Sequence, residues 1–172
     1  MAGSAQTKPT SARKRHLASS GPTEKEREYL EVMRRLWCDE ISEYHGELYD
    51  LQPCRQEPKP VQRPHPPIHF GGESDAALER VADIGQGWYG FNLDPAELAG
   101  RLAHLETLLK ERGRSRDEIY VSVCPQRRPA SRELADAYRA AGADQMILLM
   151  GGRDADDVVA RMTLLAKETV GS

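Results

Sequence analysis

Apolar positions in residues 68–170 follow two periods that replace each other along the chain. Four short runs have the pattern of strands: 68–70, 87–91, 118–124 and 145–150. Each is followed by a segment with apolar residues three or four positions apart, as in a helix: 75–84, 95–112, 131–141 and 154–169. Strands that alternate with helices predict an α/β fold with right-handed crossovers and a parallel sheet. Four such βα units form either an open doubly wound sheet or half of an eight-stranded barrel, and their spacing does not choose between the two.

The last of these runs, Gln145 to Met150, is almost entirely apolar. A strand of a parallel sheet has this pattern when both of its faces are covered, so we predict that the run is buried on both sides. At an open edge of the sheet, the same run would be prone to aggregation.

The segment before the βα units has two parts. Residues 23–42 predict one amphipathic helix, in which Thr23 and Glu26 have the spacing of a capping box. Its apolar stripe, expected to pack in the core, consists of Tyr29, Val32, Met33, Leu36 and Trp37. Residues 43–67 contain six prolines, a density that excludes a helix or a central strand, so we predict a long Pro-rich loop.

The composition is that of a soluble globular protein, with 39% hydrophobic and 30% charged residues in a chain of 172. Residues 1–22 carry four bases and no acid. They are rich in Gly, Pro, Ser and Thr, which predicts a disordered leader rather than the mitochondrial transit peptide that they faintly resemble. Because the net charge is −3, residues 23–172 carry −7, which argues against nucleic acid as a partner.

Further features of the composition bear on location. No apolar run is long enough for a membrane span, and the amino terminus lacks the apolar region of a secretory signal. The three cysteines are odd in number and include no C-x-x-C pair, which fits reduced thiols and a cytoplasmic protein.

A pair of glycines, Gly71 and Gly72, stands between the first strand and the first helix of the βα series. Ligands of parallel α/β proteins bind at the carboxyl ends of the strands. Glycine allows a positive φ and a close approach of a ligand, so the main-chain N–H groups of Glu73 and Ser74 could face an anion at the start of the helix. A phosphate site and a simple tight turn explain these residues equally well. The sequence has neither a G-x-G-x-x-G fingerprint nor a P-loop.

The sequence around these glycines resembles the luciferase-like monooxygenase superfamily, which includes flavin- and deazaflavin-dependent oxidoreductases of the (β/α)8-barrel class. The resemblance covers about residues 25–170 and rests on EYLEVMRRLW with EYHGELYDL, on PVQRPHPPIHFGGESDAALERVADIGQGW, and on AYRAAGADQMILLM. It implies that residues 23–172 form the second half of a TIM barrel, with four βα units in residues 68–170.

The resemblance also implies a flavin-type cofactor, FMN or the deazaflavin coenzyme F-420, and a small organic substrate. The first four of the implied cofactor-binding residues would hold the phosphate, and the last two would follow the next strand past the cofactor. These residues are Gly71, Gly72, Glu73, Ser74, Gly87 and Trp88. Gln86 departs from the family pattern, which commonly has an acidic residue at that position.

A closed barrel needs eight strands, and these residues supply four. The family's first half carries most of the flavin-ring and substrate pockets and has no counterpart in residues 1–22. We therefore predict a truncated oxidoreductase for which no catalytic residue can be named. Because an open sheet has two unpaired edges, we expect a homo-oligomer or a separate amino-terminal half as partner. Two alternatives stay open: a non-catalytic module for cofactor binding or assembly, and an inactive remnant.

Other candidate chemistry is sparse. His45, His65 and His69 share no helical face, because Pro66 and Pro67 interrupt the segment. We therefore predict no metal site and expect solvated loop histidines, with His69 as a candidate for the barrel interior.

The residues at the end of the third strand each allow a structural and a functional role. Cys124 is expected to pack in the interior, although a catalytic thiol could occupy the same position. Arg127 and Arg128 are expected to be a solvated pair, with an anionic ligand as the alternative.

Overall fold

A computed structural model of the chain describes residues 22–126 and 128–169. Its elements, in chain order, are α1 (Glu24–Cys38), β1 (Ser42–His45), β2 (Asp50–Cys54), β3 (His69–Gly71), α2 (Asp75–Ile84), β4 (Gly87–Phe91), α3 (Pro95–Glu111), β5 (Tyr120–Cys124), α4 (Arg132–Ala140), β6 (Gln145–Met146) and α5 (Ala155–Thr169). The strands β3, β4, β5 and β6 form one parallel sheet in that order, and β1 and β2 pair antiparallel in a second sheet. The predicted series of four βα units is confirmed.

Each helix of the βα series begins at a capping residue that follows its strand. The side chains of Ser74, Asp94 and Ser131 accept a hydrogen bond from the main-chain N–H three residues on, in the first turns of α2, α3 and α4. The start of α5 has similar chemistry, because Asp157 N–H donates to Asp154 Oδ1 at 2.9 Å. The carboxyl ends of all four parallel strands therefore lead into helix amino termini.

The hydrophobic core lies between the parallel sheet and helices α2, α3 and α4. Its largest members are fully buried, and each such side chain stabilises the fold by about 1.5–3 kcal/mol. The cluster comprises Leu78, Val81, Ala82, Trp88, Leu98, Leu102, Leu105, Leu108, Leu109, Ile119, Val121, Val123 and Tyr138. Helix α5 has no buried residue among those described, so the layer of α2, α3 and α4 holds the sheet in place.

The opposite face of the sheet, called here the inner face, carries the alternate residues of the strands. It includes Tyr89 and Phe91 of β4 and Tyr120 of β5, and both Phe91 and Tyr120 are exposed. The His69 ring lies over Gly87, where a Cβ would be 2.5 Å from the ring, and 6.0 Å from the Tyr120 ring centroid. In the described part of the chain, no helix covers this face.

The expectation that residues 43–67 form only a loop is wrong for the first part of that segment. Strands β1 and β2 form an antiparallel hairpin there, with Pro53 inside β2. A two-stranded sheet has only edge strands, and an edge strand tolerates proline because one side of it makes no ladder bonds. Five of the six prolines follow Pro53, so the residues before it are free to pair.

The expectation that Gln145 to Met150 is a strand buried on both faces is also wrong. Strand β6 comprises Gln145 and Met146 alone, at the edge of the sheet, and Leu149 is 61% exposed. Ile147 N–H still donates to the Val123 carbonyl oxygen at 2.8 Å, after which the ladder ends. The apolar run pairs with β5 on one side and, among the described residues, has no strand on the other. A sequence pattern typical of a central strand therefore occurs here at the edge of the sheet.

The predicted helix over 23–42 is shorter in the structure, because Asp39 ends α1 and Ser42 begins β1. Its capping box at Thr23 and Glu26 is confirmed. The apolar stripe is less buried than expected: Tyr29 is 52% exposed, and the other members are half-buried. Helix α1 packs on the hairpin rather than in the main core, which leaves one side of it open.

The buried carboxylate of Glu28 connects α1 to the turn of the hairpin. It accepts hydrogen bonds from the main-chain N–H groups of Glu47, Leu48 and Tyr49 at 2.9–3.0 Å. Burial alone would raise the pKa of Glu28, but the three donors outweigh it and hold the pKa below its usual value. The ionised carboxylate therefore fixes the turn.

The leader over residues 1–22 lies outside the described residues except for Pro22, and so does Arg127. No helix in the described ranges has both the length and the apolar character needed to cross a membrane. All three cysteines are free thiols.

Candidate functional site

The loop from β3 to α2 needs glycine at one of its two glycine positions. Gly72 has a φ of +110°, and a Cβ there would lie 3.1 Å from the Ala77 Cβ. Side chains rarely adopt this backbone conformation, so a larger residue would strain the loop. At Gly71 a Cβ would meet only ordinary contacts, the nearest at 3.7 Å on the Tyr89 ring.

The start of α2 presents unpaired main-chain donors at the carboxyl edge of the sheet. Within the described residues, no acceptor takes a hydrogen bond from the main-chain N–H of Glu73 or of Ser74. Ser74 and Asp75 are exposed, and Glu73 is half-buried. Helix amino termini leave such donors without intrahelical partners, and the helix dipole adds a partial positive charge at the same point.

Ser74 is the capping residue of α2, and its hydroxyl group can form a further hydrogen bond. Ser74 Oγ accepts a hydrogen bond from Ala77 N–H at 3.2 Å. A hydroxyl group carries one donor and two acceptor positions, so this cap leaves the Ser74 hydrogen available for a ligand.

Two hydrogen bonds tie this loop to the neighbouring strand β4. Trp88 Nε1–H donates to the Gly72 carbonyl oxygen at 2.8 Å. The main-chain N–H of Phe91 donates to Glu73 Oε1 at 2.7 Å. Glu73 Oε1 is therefore engaged with the end of β4, whereas the main-chain N–H of Glu73 has no acceptor among the described residues.

The structure separates Gly87 from the other residues named by the sequence. Gly87 is the first residue of β4 and pairs with His69 and Tyr120, at the amino-terminal end of the sheet. Trp88 is fully buried in the helix-facing core, and its indole N–H reaches the glycine loop. Gln86 lies at the same amino-terminal end, where its Oε1 accepts from Ile68 N–H at 2.8 Å.

Next to the glycine loop, the inner face carries a tyrosine–cysteine pair that sequence reasoning did not single out as a site. The Tyr89 hydroxyl lies near the Cys124 thiol, which is fully buried. Burial raises the pKa of Tyr89, and the Cys124 thiol and the charge of Glu73 raise it further. Tyr89 therefore stays neutral. The alternation of residues along β4 is the signal that could have placed its ring on this face.

The loops after β4 and β5 are joined by hydrogen bonds at the carboxyl edge of the sheet. Asn92 has a φ of +56°, unusual for a residue other than glycine, and its N–H donates to the Cys124 carbonyl oxygen at 2.8 Å. Arg128 donates to the Asn92 carbonyl oxygen at 3.4 Å and lies 3.9 Å from Asp94 Oδ2. Arg128 thus connects the loop after β5 to the loop after β4, and it is not the solvated residue that the sequence predicts. It also lines a cavity of about 300 Å³ beneath α5.

The three histidines considered from the sequence lie on different elements. His45 is in β1, His69 is in β3, and His65 lies in the segment between the two sheets. Within the described residues, no group of three or more His, Cys, Asp or Glu side chains is arranged to hold a metal ion.

Comparison with known proteins identifies related sequences. The family model for luciferase-like monooxygenases matches residues 11–168. An uncharacterised protein of Mycobacterium tuberculosis is 38% identical over 95 residues, which are 55% of this chain and 32% of that protein. The FMNH(2)-dependent dimethylsulfone monooxygenase of Pseudomonas putida is 33% identical over 70 residues, 41% of this chain and 19% of that protein. The chain thus spans about a third and about a fifth of the length of these two relatives.

Solved structures share the fold. The coenzyme F-420-dependent tetrahydromethanopterin reductase of Methanopyrus kandleri superposes with a TM-score of 0.63 at 14% identity, over 84% of this chain and 61% of that one. A monooxygenase of Streptomyces bottropensis gives a TM-score of 0.55 at 18% identity, over 85% of this chain and 60% of that one. The open four-stranded sheet is accordingly a partial TIM barrel.

Proposed function

Because this chain belongs to the luciferase-like monooxygenase family, we propose that it binds the phosphate of a flavin-type cofactor at the start of α2. The main-chain N–H groups of Glu73 and Ser74 would donate to the phosphate oxygens, together with the Ser74 hydroxyl. The observation that carries this proposal is the set of unpaired donors at the carboxyl edge of the sheet, where parallel α/β proteins bind ligands.

The local charges are compatible with an anion. Two carboxylates flank the proposed site, and both already have partners. Asp75 Oδ1 lies 2.9 Å from Arg101 and 3.7 Å from His104 Nε2, while Glu73 accepts the Phe91 N–H. These contacts reduce the repulsion that the two acids would exert on a phosphate.

The cofactor would supply the redox chemistry, either hydride transfer or activation of oxygen, toward a small organic substrate. We propose FMN or coenzyme F-420 as this cofactor. The relative from P. putida is named for its dependence on reduced FMN, which makes FMN the first compound to test. The part of the chain described here would place the cofactor by its phosphate, and the residues that act on the substrate would lie on the other half of the barrel.

The Ser74 hydroxyl provides a direct test. We expect the protein to bind FMN more tightly than riboflavin, which lacks the phosphate, when each is titrated with flavin fluorescence as the readout. Ser74→Ala removes one donor, worth about 1 kcal/mol, so FMN affinity should fall about five-fold while riboflavin affinity stays the same.

Ser131→Ala is the matched control for that experiment. Ser131 caps α4 as Ser74 caps α2, with Oγ accepting from Leu134 N–H at 3.1 Å, so both variants lose a cap of similar strength. Ser131→Ala should leave FMN affinity unchanged. Equal affinity of the unaltered protein for FMN and riboflavin, or no binding of FMN at millimolar concentration, would refute the phosphate site.

A second candidate function is that of an assembly module, which the open surfaces of the sheet favour. Both edges of the four-stranded sheet lack a neighbour among the described residues, and the inner face exposes the rings of Phe91 and Tyr120. An eight-stranded barrel needs four further strands, which a second copy or a separate amino-terminal half could supply. In this role the chain would bind the cofactor phosphate and its partner without catalysing a reaction itself.

A further inference from the structure

We infer that Trp88 is a positioning residue for the proposed phosphate site, because it sets the direction of one main-chain N–H group. The inference rests on the proposed function, since the site through which Trp88 acts is the one at Glu73 and Ser74. The Trp88 side chain is fully buried, so it cannot touch a ligand in solution. Its indole N–H donates to the Gly72 carbonyl oxygen at 2.8 Å.

The geometry of the peptide unit links this hydrogen bond to the site. The Gly72 carbonyl and the Glu73 N–H belong to the same peptide unit, which is not among the cis peptides of the chain. In a trans peptide the C=O and N–H bonds point in opposite directions. Trp88 belongs to the core between the sheet and the helices, so the Gly72 carbonyl points into that layer. The Glu73 N–H consequently points away from it, toward the open edge.

Contacts must hold the orientation of this peptide unit, because the main chain at Gly72 is unusually free to rotate. The peptide after Gly72 turns about ψ of Gly72 and φ of Glu73, and glycine restricts its own dihedral angles less than other residues do, so this peptide could turn over at small cost. Its observed direction is maintained by the hydrogen bond from Trp88 to the Gly72 carbonyl on one side and by the bond from Phe91 to the Glu73 carboxylate on the other. A hydrogen bond accepted by a carbonyl also polarises the N–H of the same peptide, which makes the Glu73 N–H a better donor.

The spacing between the elements explains why a tryptophan suits this position. Trp88 is the second residue of β4, near the amino-terminal end, whereas Gly72 follows the carboxyl end of β3. Phe70, two residues before Gly72, pairs with Trp88 in the ladder. The donor must therefore reach along the sheet to the loop while the body of the side chain stays in the core. The large indole, with its single N–H, combines these two properties.

Trp88→Phe tests the inference, because it retains an aromatic ring in the core and removes the donor. The quantity to measure is the phosphate preference, defined as the dissociation constant of riboflavin divided by that of FMN. We expect Trp88→Phe to lower the phosphate preference about five- to ten-fold and to leave riboflavin binding close to that of the unaltered protein. In ¹H–¹⁵N spectra, the shift of the Glu73 amide on addition of inorganic phosphate should shrink in the same variant.

Tyr138→Phe is the matched control. Tyr138 is also buried, and its hydroxyl donates to the main-chain carbonyl of Leu93 at 2.6 Å, so this variant loses the same kind of hydrogen bond away from the glycine loop. The phosphate preference should be retained in Tyr138→Phe. If Tyr138→Phe lowers the preference as much as Trp88→Phe does, the effect is one of general stability and the inference is overturned.

The outcomes separate the inference from the proposed function. If the unaltered protein shows no phosphate preference, the proposed function fails before Trp88 is considered. If it shows the preference and a folded Trp88→Phe keeps it, the positioning role fails and the phosphate site stands. Should Trp88→Phe not fold, 3-benzothienylalanine can replace tryptophan in a Trp37→Phe background, since this analogue keeps the ring volume and lacks the N–H. An unchanged preference in that protein would likewise overturn the role of Trp88.

Discussion

The two adjacent glycines of the β3–α2 loop have different structural roles, although they stand next to each other in the sequence. Gly72 has a left-handed backbone and a close neighbour in Ala77, whereas Gly71 is the last residue of an ordinary strand. The left-handed backbone at Gly72 disfavours any side chain, whereas the extended strand conformation at Gly71 does not. The argument from the sequence, that a positive φ is needed at this turn, therefore applies to one position.

Substitution by alanine separates the two glycines. Gly72→Ala should destabilise the protein by about 1–3 kcal/mol, because alanine is strained at this φ. Gly71→Ala should change the free energy of unfolding by less than about 0.5 kcal/mol, since its Cβ finds only ordinary contacts. Urea unfolding followed by circular dichroism measures both. Equal losses in the two variants would show that the left-handed conformation of Gly72 is not the cause.

Part of the candidate site could be found from the sequence, and part could not. The strand, the glycine turn and the serine cap are local features, so the loop at Gly71–Ser74 is visible in a short stretch of residues. The positions of Tyr89 and Phe91 beside that loop depend on which face of β4 each residue takes. The bond from Trp88 to Gly72 depends on the pairing of β3 with β4, which residue spacing does not specify.

At the scale of elements, the segment from β3 through α3 follows its sequence pattern closely, because strands, caps and amphipathic helices there agree with one another. The errors fall where a pattern depends on neighbours. Residues 145–150 have the composition of a central strand but form the edge of the sheet, and the number of neighbours of a strand is a property of the whole sheet. The composition of residues 43–67 does not reveal the β1–β2 hairpin, because the prolines that follow it dominate the segment.

The connection between α1 and the hairpin should depend on pH. The folded state lowers the pKa of Glu28, so its contribution to stability is present above the usual pKa of about 4.3 and is lost as the pH falls below that value. Glu28→Gln cannot offer the same charged acceptor to three N–H groups. We expect this variant to have a lower melting temperature at pH 7 and a smaller further decrease between pH 7 and pH 3.5.

Glu43→Gln is a suitable control for that pH series, because Glu43 is an exposed glutamate on the neighbouring strand β1. Its melting curve should follow that of the unaltered protein at every pH. A pH dependence of Glu28→Gln identical to that of the unaltered protein would show that the Glu28 carboxylate does not couple the hairpin turn to pH.

At the scale of the whole molecule, apolar surface is concentrated at the carboxyl-terminal side. Val159, Met162 and Leu164 of α5 are each about 60% exposed, and Leu149 in the segment after β6 is 61% exposed. Several exposed apolar residues in one region mark an interaction surface or an aggregation hazard. Together with the open edge at β6, they indicate where we expect a partner chain to bind.

We therefore expect the purified chain to self-associate, and lysine substitutions on α5 to reduce this. Size-exclusion chromatography with light scattering should give a mass above that of one chain. Val159→Lys with Met162→Lys should shift it toward 19.2 kDa. Ala103→Lys adds a charge at an exposed position of α3 and should leave the mass unchanged. A well-folded monomer before any substitution would contradict the expectation that the open sheet requires a partner.

The core between the sheet and helices α2, α3 and α4 has one more consequence, which concerns how the chain acquires its structure. Its members come from consecutive βα units, so the core joins units that are neighbours along the chain. Units that emerge first during synthesis can therefore pack before the rest of the chain is made. During synthesis on the ribosome, we expect this layer to assemble as each unit emerges, before any second polypeptide arrives, so that the partner meets a scaffold that is already built.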